Sequence, residues 1–85
     1  MKLKLKKVQV QWIDSCGGDC YWALLKDFKP SITKPTTFGF VIYEDDEIIS
    51  VAQSYAEGDD EVPSQINGVI NIPKVAILEL TEMVE

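Results

Sequence analysis

Val8, Val10 and Trp12 alternate with Gln9, Gln11 and Ile13, the period-two pattern of a strand. Leu3 and Leu5 fall on the opposite parity, so the phase breaks at Lys6-Lys7, where the strand either begins or bulges. Asp14-Ser15 ends it, and Gly17-Gly18-Asp19 is strong turn chemistry. Tyr21 to Phe28 has the apolar density of a short helix or a hydrophobic loop, with Leu24 and Phe28 four apart and Pro30 as a stop. Lys29 to Thr37 reads as a linker into Thr36 to Tyr43, the strongest strand, in which Gly39 marks a bend or a close backbone approach. Glu44-Asp45-Asp46-Glu47 is an acidic hairpin turn, and Ile48 to Tyr55 returns. A polar loop, Ala56 to Ser64, leads to strands at Ile66 to Ile72 and Val75 to Met83, separated by Pro73-Lys74. There the chain is expected to cross from one sheet edge to the other. Nothing repeats internally. The expected architecture is all-β, a small barrel of short strands with at most one helical turn.

Length and composition narrow this further. Eighty-five residues leave room for one domain, residues 1–85. A content of 46% hydrophobic and 26% charged residues argues against disorder and disulfide-dense scaffolds. No apolar run approaches the roughly 18 residues of a membrane helix, and the alternation in MKLKLKK is unlike a secretion signal. There is no histidine, which rules out Ser-His-Asp and Cys-His nucleophile arrangements within the chain. Cys16 and Cys20 supply half of a tetrahedral zinc shell, and their spacing is one residue too long for Cys-X-X-Cys. They read as two thiols in a Gly-rich turn or, less simply, as half of a metal site shared between chains. No cofactor and no resident metal is expected.

Charge is unevenly placed. Residues 1–37 carry seven lysines against three aspartates, a net +4, whereas residues 38–85 carry Lys74 against eleven acids, a net −10. Long-range repulsion then opposes uniform binding of a polyanion, while a local basic face can still hold phosphate. The same asymmetry favours head-to-tail self-association, or simply keeps the surface soluble.

Gly39 to Val51 resembles the first Sm signature, with its Gly in the second strand, an Asp after that strand and apolar residues leading into the third. Gly68 to Leu80 resembles the second: an apolar strand, a two-residue turn and an Ile-X-X-apolar finish. Together with Val8 to Ser15, these blocks are similar to a group of small phage and marine-metagenome Sm-like proteins for which a cyanophage origin is proposed. The resemblance covers about half of the chain. It implies a five-stranded SH3-like (Sm-like) barrel, here with an insertion or short helix, Cys16–Thr36, between strands 1 and 2. Sm-like proteins close rings by pairing the fourth strand of one subunit with the fifth of the next. The implied interface is therefore Ile66, Val69, Ile70 and Ile72 against Ile77, Leu78 and Leu80, in a homo-oligomer of about five to seven subunits. Two positions depart from the family: Ile49 stands where Sm rings have a base-contacting Asn, and Pro73-Lys74 stands where they have Arg-Gly.

The resulting functional expectation is a non-catalytic, ring-forming protein that binds RNA or single-stranded DNA and serves nucleic-acid processing. Lys74 would hold phosphate at the rim, Tyr43 would stack a base, and Lys4, Lys6 and Lys7 would form a second basic rim. Each has a plainer reading: Tyr43 as a cross-strand packing residue, the lysines as protection of a strand edge. The alternative is a phage interaction module that docks a host or virion protein through the acids of 44–47 and 57–61 and through Trp12, Tyr21 or Trp22. An enzyme is not expected, since the acidic runs face no histidine, arginine or nucleophile motif. Neither a membrane nor a small-molecule substrate is implied, and the expected location is the cytoplasm of the host cell.

Overall fold

A computed structural model describes residues 5–14, the backbone of Ser15, and residues 22–30 and 32–84. The protein is all-β. Its strands are β1 (Lys7–Trp12), β2 (Asp14–Ser15), β3 (Ile32–Thr33), β4 (Thr36–Glu44), β5 (Ile48–Ala56), β6 (Gln65–Pro73) and β7 (Ile77–Met83). Five form one antiparallel sheet in the order β6-β5-β4-β1-β7, and β2 pairs with β3 apart from it. Strand β1 begins at Lys7, where the hydrophobic phase breaks. Among the described residues no helix is long and apolar enough to cross a membrane.

The two edges of this sheet, β6 and β7, are joined only by a 3-10 turn, Lys74–Ala76. In a flat sheet they would lie four strand spacings apart, roughly 19 Å. Pro73 and Ile77 are four residue steps apart, which span at most about 14 Å even when fully extended. The sheet must therefore curl until its edges converge at this corner. Two backbone hydrogen bonds tie the corner down: Ile13 N–H to the Ala76 carbonyl at 2.8 Å, and Lys74 N–H to the Glu47 carbonyl at 2.8 Å. Away from the corner β6 and β7 do not pair, so the sheet is open and a closed barrel is not what the described residues form. Closure needs pairing along the edges, and here they meet at one end only.

Curling creates the core. Val8 and Val10 of β1, Ile49, Val51 and Ala52 of β5, and Ile72 of β6 are buried. Trp12, Val41, Ile70 and Ile77 pack against that cluster. The indole N–H of Trp12 donates to the Thr37 hydroxyl at 3.0 Å, which satisfies both groups away from water. Strand β4 turns its small residues inward. Thr37 and Gly39 lie opposite the core residues Val10 and Val8, while Phe38 and Phe40 pair with Gln9 and Lys7 on the other face. A methyl group at Gly39 would collide with the Ala52 carbonyl oxygen and lie 2.7 Å from a Val51 methyl. That close approach is what Gly39 permits.

Among the described residues, the segment expected to hold a helix or loop contains a 3-10 turn, Leu25–Asp27, and no α-helix. No apolar stripe of it is seated on the sheet: Trp22, Leu24, Leu25 and Phe28 are all exposed. Without tertiary packing, so short a segment ended by Pro30 does not sustain an α-helix. The last strand was expected from Val75, but Val75 belongs to the 3-10 turn and β7 begins at Ile77.

Gly39→Ala is expected to lower stability by about 1–3 kcal/mol, because β4 must move away from β5 to admit the methyl. Urea unfolding monitored by tryptophan fluorescence measures this. An unchanged midpoint would show that the approach of β4 to β5 relaxes freely.

Candidate nucleic-acid interface

The corner that joins the sheet edges also gathers the candidate residues. The β4–β5 turn is built on Asp45. Its Oδ1 accepts the backbone N–H groups of Glu47 at 2.8 Å and Ile48 at 2.9 Å, and the Asp45 N–H donates to the Ile48 carbonyl at 3.0 Å. Its other oxygen, Oδ2, accepts the Tyr43 hydroxyl at 2.8 Å. This is an Asx-type turn, and it explains why Asp opens the hairpin. The two backbone donors, then Tyr43, hold the Asp45 carboxyl below its ordinary value. The Asp45 acceptor in turn raises the Tyr43 phenol.

Beside this turn stands Lys74, whose Nζ is 2.8 Å from Oε2 of Glu44. That contact, with a smaller contribution from Lys6, holds the Glu44 carboxyl below its ordinary value. Tyr43, Glu44, Asp45 and Lys74 thus form one cluster with Lys6 in its field. Tyr43 is half exposed, and its ring is oriented by the bond to Asp45. An ammonium has three donors, so Lys74 can hold Glu44 and still offer a proton to a phosphate. The four acids of residues 44–47 oppose such an anion.

The remaining candidates separate. Lys7 lies on the outer face of β1, paired in register with Phe40 and Met83. Lys4 lies outside the described residues, as do Cys16, Cys20 and Tyr21. Of the seven candidate interface residues, Ile72 is fully buried, and Ile70 and Ile77 pack against the core. Ile66, Val69, Leu78 and Leu80 are 42–48% exposed. Ile49 is buried in the core and offers a ligand nothing. No group of three or more His, Cys, Asp or Glu side chains that could hold a metal occurs among the described residues.

One feature escaped the sequence pattern. Asp59 repeats the Asp45 turn: its Oδ1 accepts the N–H groups of Glu61 and Val62, each at 2.8 Å, and its own N–H donates to the Val62 carbonyl at 2.8 Å. Asp-Asp-Glu-Ile and Asp-Asp-Glu-Val are therefore one short turn used twice. The available signal was the Asx residue opening each run with a β-branched residue three places later. Here too the backbone donors hold the carboxyl below its ordinary value. Comparison with protein-family models, curated proteins and solved structures finds no match to the chain.

Both aspartates have lower folded than unfolded pKa values, so their contribution is present above the unfolded value of about 3.9 and is lost as pH falls through the folded values. Asn keeps the Oδ1 acceptor and removes the titration. Asp45→Asn/Asp59→Asn is thus expected to flatten the loss of stability below about pH 4. Urea midpoints at neutral and acid pH measure it. An acid limb as steep as that of the parent would mean that these turns do not couple to protonation.

Proposed function

We propose that the chain is a non-catalytic, Sm-like, self-associating β-protein that holds single-stranded nucleic acid at the Tyr43–Lys74 corner. The observation that carries the reading is the pair of free edges. The strands assigned from the resemblance as the fourth and fifth of an Sm-like domain correspond to β6 and β7, which are the two edges of the open sheet. Each edge strand exposes apolar side chains, Ile66 and Val69 on β6 and Leu78 and Leu80 on β7. Long apolar edges associate unless they are covered. Pairing β6 of one copy with β7 of the next would satisfy both and generate a closed ring if the rotation closes.

The thin core supports the same reading. A domain this small that buries six hydrophobic residues among those described gains much from a subunit interface. In a ring, each copy would contribute one Tyr43–Lys74 corner, and repeated modest contacts gain through avidity.

A second reading is favoured by a different observation: Trp22, Leu25 and Phe28 stand exposed on the segment between β2 and β3. Together with the acids at 44–47 and 57–61, they suit docking of a host or virion protein without nucleic acid.

Light scattering on a size-exclusion column, at low and high salt, tests the leading reading. The expected result is one species of about five to seven subunits, reduced to smaller species by Leu78→Glu/Leu80→Glu. A clean monomer would overturn the ring. In the oligomer, Lys74→Ala should weaken binding of a short single-stranded oligonucleotide, and binding should fall steeply with salt. Binding to a protein partner that persists in high salt, with no oligonucleotide bound, would select the second reading.

A further inference from the structure

The outer face of the sheet carries a set of side chains that the corner does not use. Register places Phe38 on β4 and Thr81 on β7 directly beside Gln9, and Thr36 and Glu79 directly beside Gln11. Directly paired residues project from the same face. The next position along the face is Lys7, between Phe40 and Met83. A shallow depression of about 110 Å³ lies over this surface, lined by Gln9, Gln11, Thr36, Glu79 and Thr81. Phe38 is 55% exposed at its margin, whereas Phe40 is half-buried and its ring lies 5.7 Å from that of Tyr55.

We infer that this face is a second nucleic-acid contact, a platform on which an unpaired base stacks on Phe38 while Gln9 and Gln11 bond its edge. The inference rests on the nucleic-acid reading above and assigns it residues for base recognition. The chemistry fits in three respects. An exposed aromatic ring on the outer face of the sheet accepts any base. A side-chain amide supplies one acceptor and two donors, so it can pair with the mixed donor–acceptor edge of a base. Lys7 stands on this same face at the start of β1, where the backbone of a strand crossing the platform needs positive charge. Glu79 at the opposite end sets a polarity, with phosphate toward Lys7 and the base toward Gln11. Edge-to-edge pairing of β6 and β7 would leave this face open, because its side chains stand perpendicular to the sheet. The platform also meets a need the corner leaves: the buried Ile49 cannot read a base.

The experiment titrates fluorescently labelled A, C and U heptamers against the parent protein, Phe38→Ala, Phe38→Tyr and Gln9→Leu/Gln11→Leu, all at low salt and all checked by thermal melting. Phe38→Ala should weaken every heptamer about tenfold, and Phe38→Tyr should retain parent affinity. Gln9→Leu/Gln11→Leu should erase the parent's preference among the three bases. Photo-cross-linking of an iodouridine heptamer to the parent protein gives a readout that does not depend on any variant folding. It should mark the Phe38 peptide. Tight binding that Phe38→Ala leaves unchanged while Lys74→Ala weakens it, or cross-links confined to Tyr43, would overturn the platform and leave the corner standing. A parent protein that binds none of the heptamers would overturn both.

Discussion

The structure depends on one constraint of chain length. A three-residue turn, Lys74–Ala76, has to join strands that lie at opposite edges of a five-stranded sheet. Pro73 cannot donate to the ladder and ends β6, and the crossing pulls Ala76 onto Ile13, the residue that follows β1. The curl that follows brings Val8 and Val10 of β1 over Ile49, Val51 and Ile72, which in a flat sheet would share a face without forming an interior. It also sets the acidic β4–β5 turn against Lys74, since both flank the same corner. Core and candidate site therefore have a common origin, and a substitution that loosens the crossing acts on both.

That constraint also explains why the edges remain available. The crossing fixes β6 and β7 together at one end and leaves the outward edge of each, beyond the corner, unpaired with the other. Full closure would require these strands to run side by side, yet they diverge beyond the corner. Exposed apolar residues on both edges mean that the isolated chain leaves favourable burial unrealised. In the proposed assembly a second copy would supply what the chain's own geometry withholds.

Much of the strand pattern was legible because it is local. Period-two alternation marked β1, the break at Lys6-Lys7 marked its start, and Pro73 marked the edge crossing. What the pattern could not carry is pairing at a distance. Whether β6 meets β7 depends on curvature summed over five strands, and no single segment encodes it. The Lys74–Glu44 contact spans thirty positions of sequence and likewise leaves no local trace. Strand β4 misleads in an instructive way. Its more hydrophobic side, Phe38 and Phe40, faces outward, and Thr37-Gly39-Val41 faces the core. Hydrophobicity alone would choose the opposite orientation. Packing decides, because the tight approach to β5 at Gly39 has no room for a large ring.

The acidic turns recast the electrostatic argument. Counted as formal charge, residues 44–47 and 57–61 should repel a phosphate backbone from this half of the chain. In the structure the Asp45 and Asp59 carboxylates are turned onto backbone N–H groups, and Glu44 is turned onto Lys74. Part of the acidic charge is thus spent inside its own turn, where it fixes hairpin geometry. The net charge of the region is unchanged, but its directed acceptors point inward, and an approaching anion meets Lys74 and Lys6 together with Asp46 and Glu47. An anion held at such a corner would be bound weakly by one copy, and repetition around the proposed assembly would strengthen it. A polyanion held in the proposed way by several weak corners would gain most from additional contacts that carry no charge. Stacking and amide hydrogen bonds are of that kind, and the outer face of β1 and β4 is where the described residues bring an exposed aromatic ring and paired amides together.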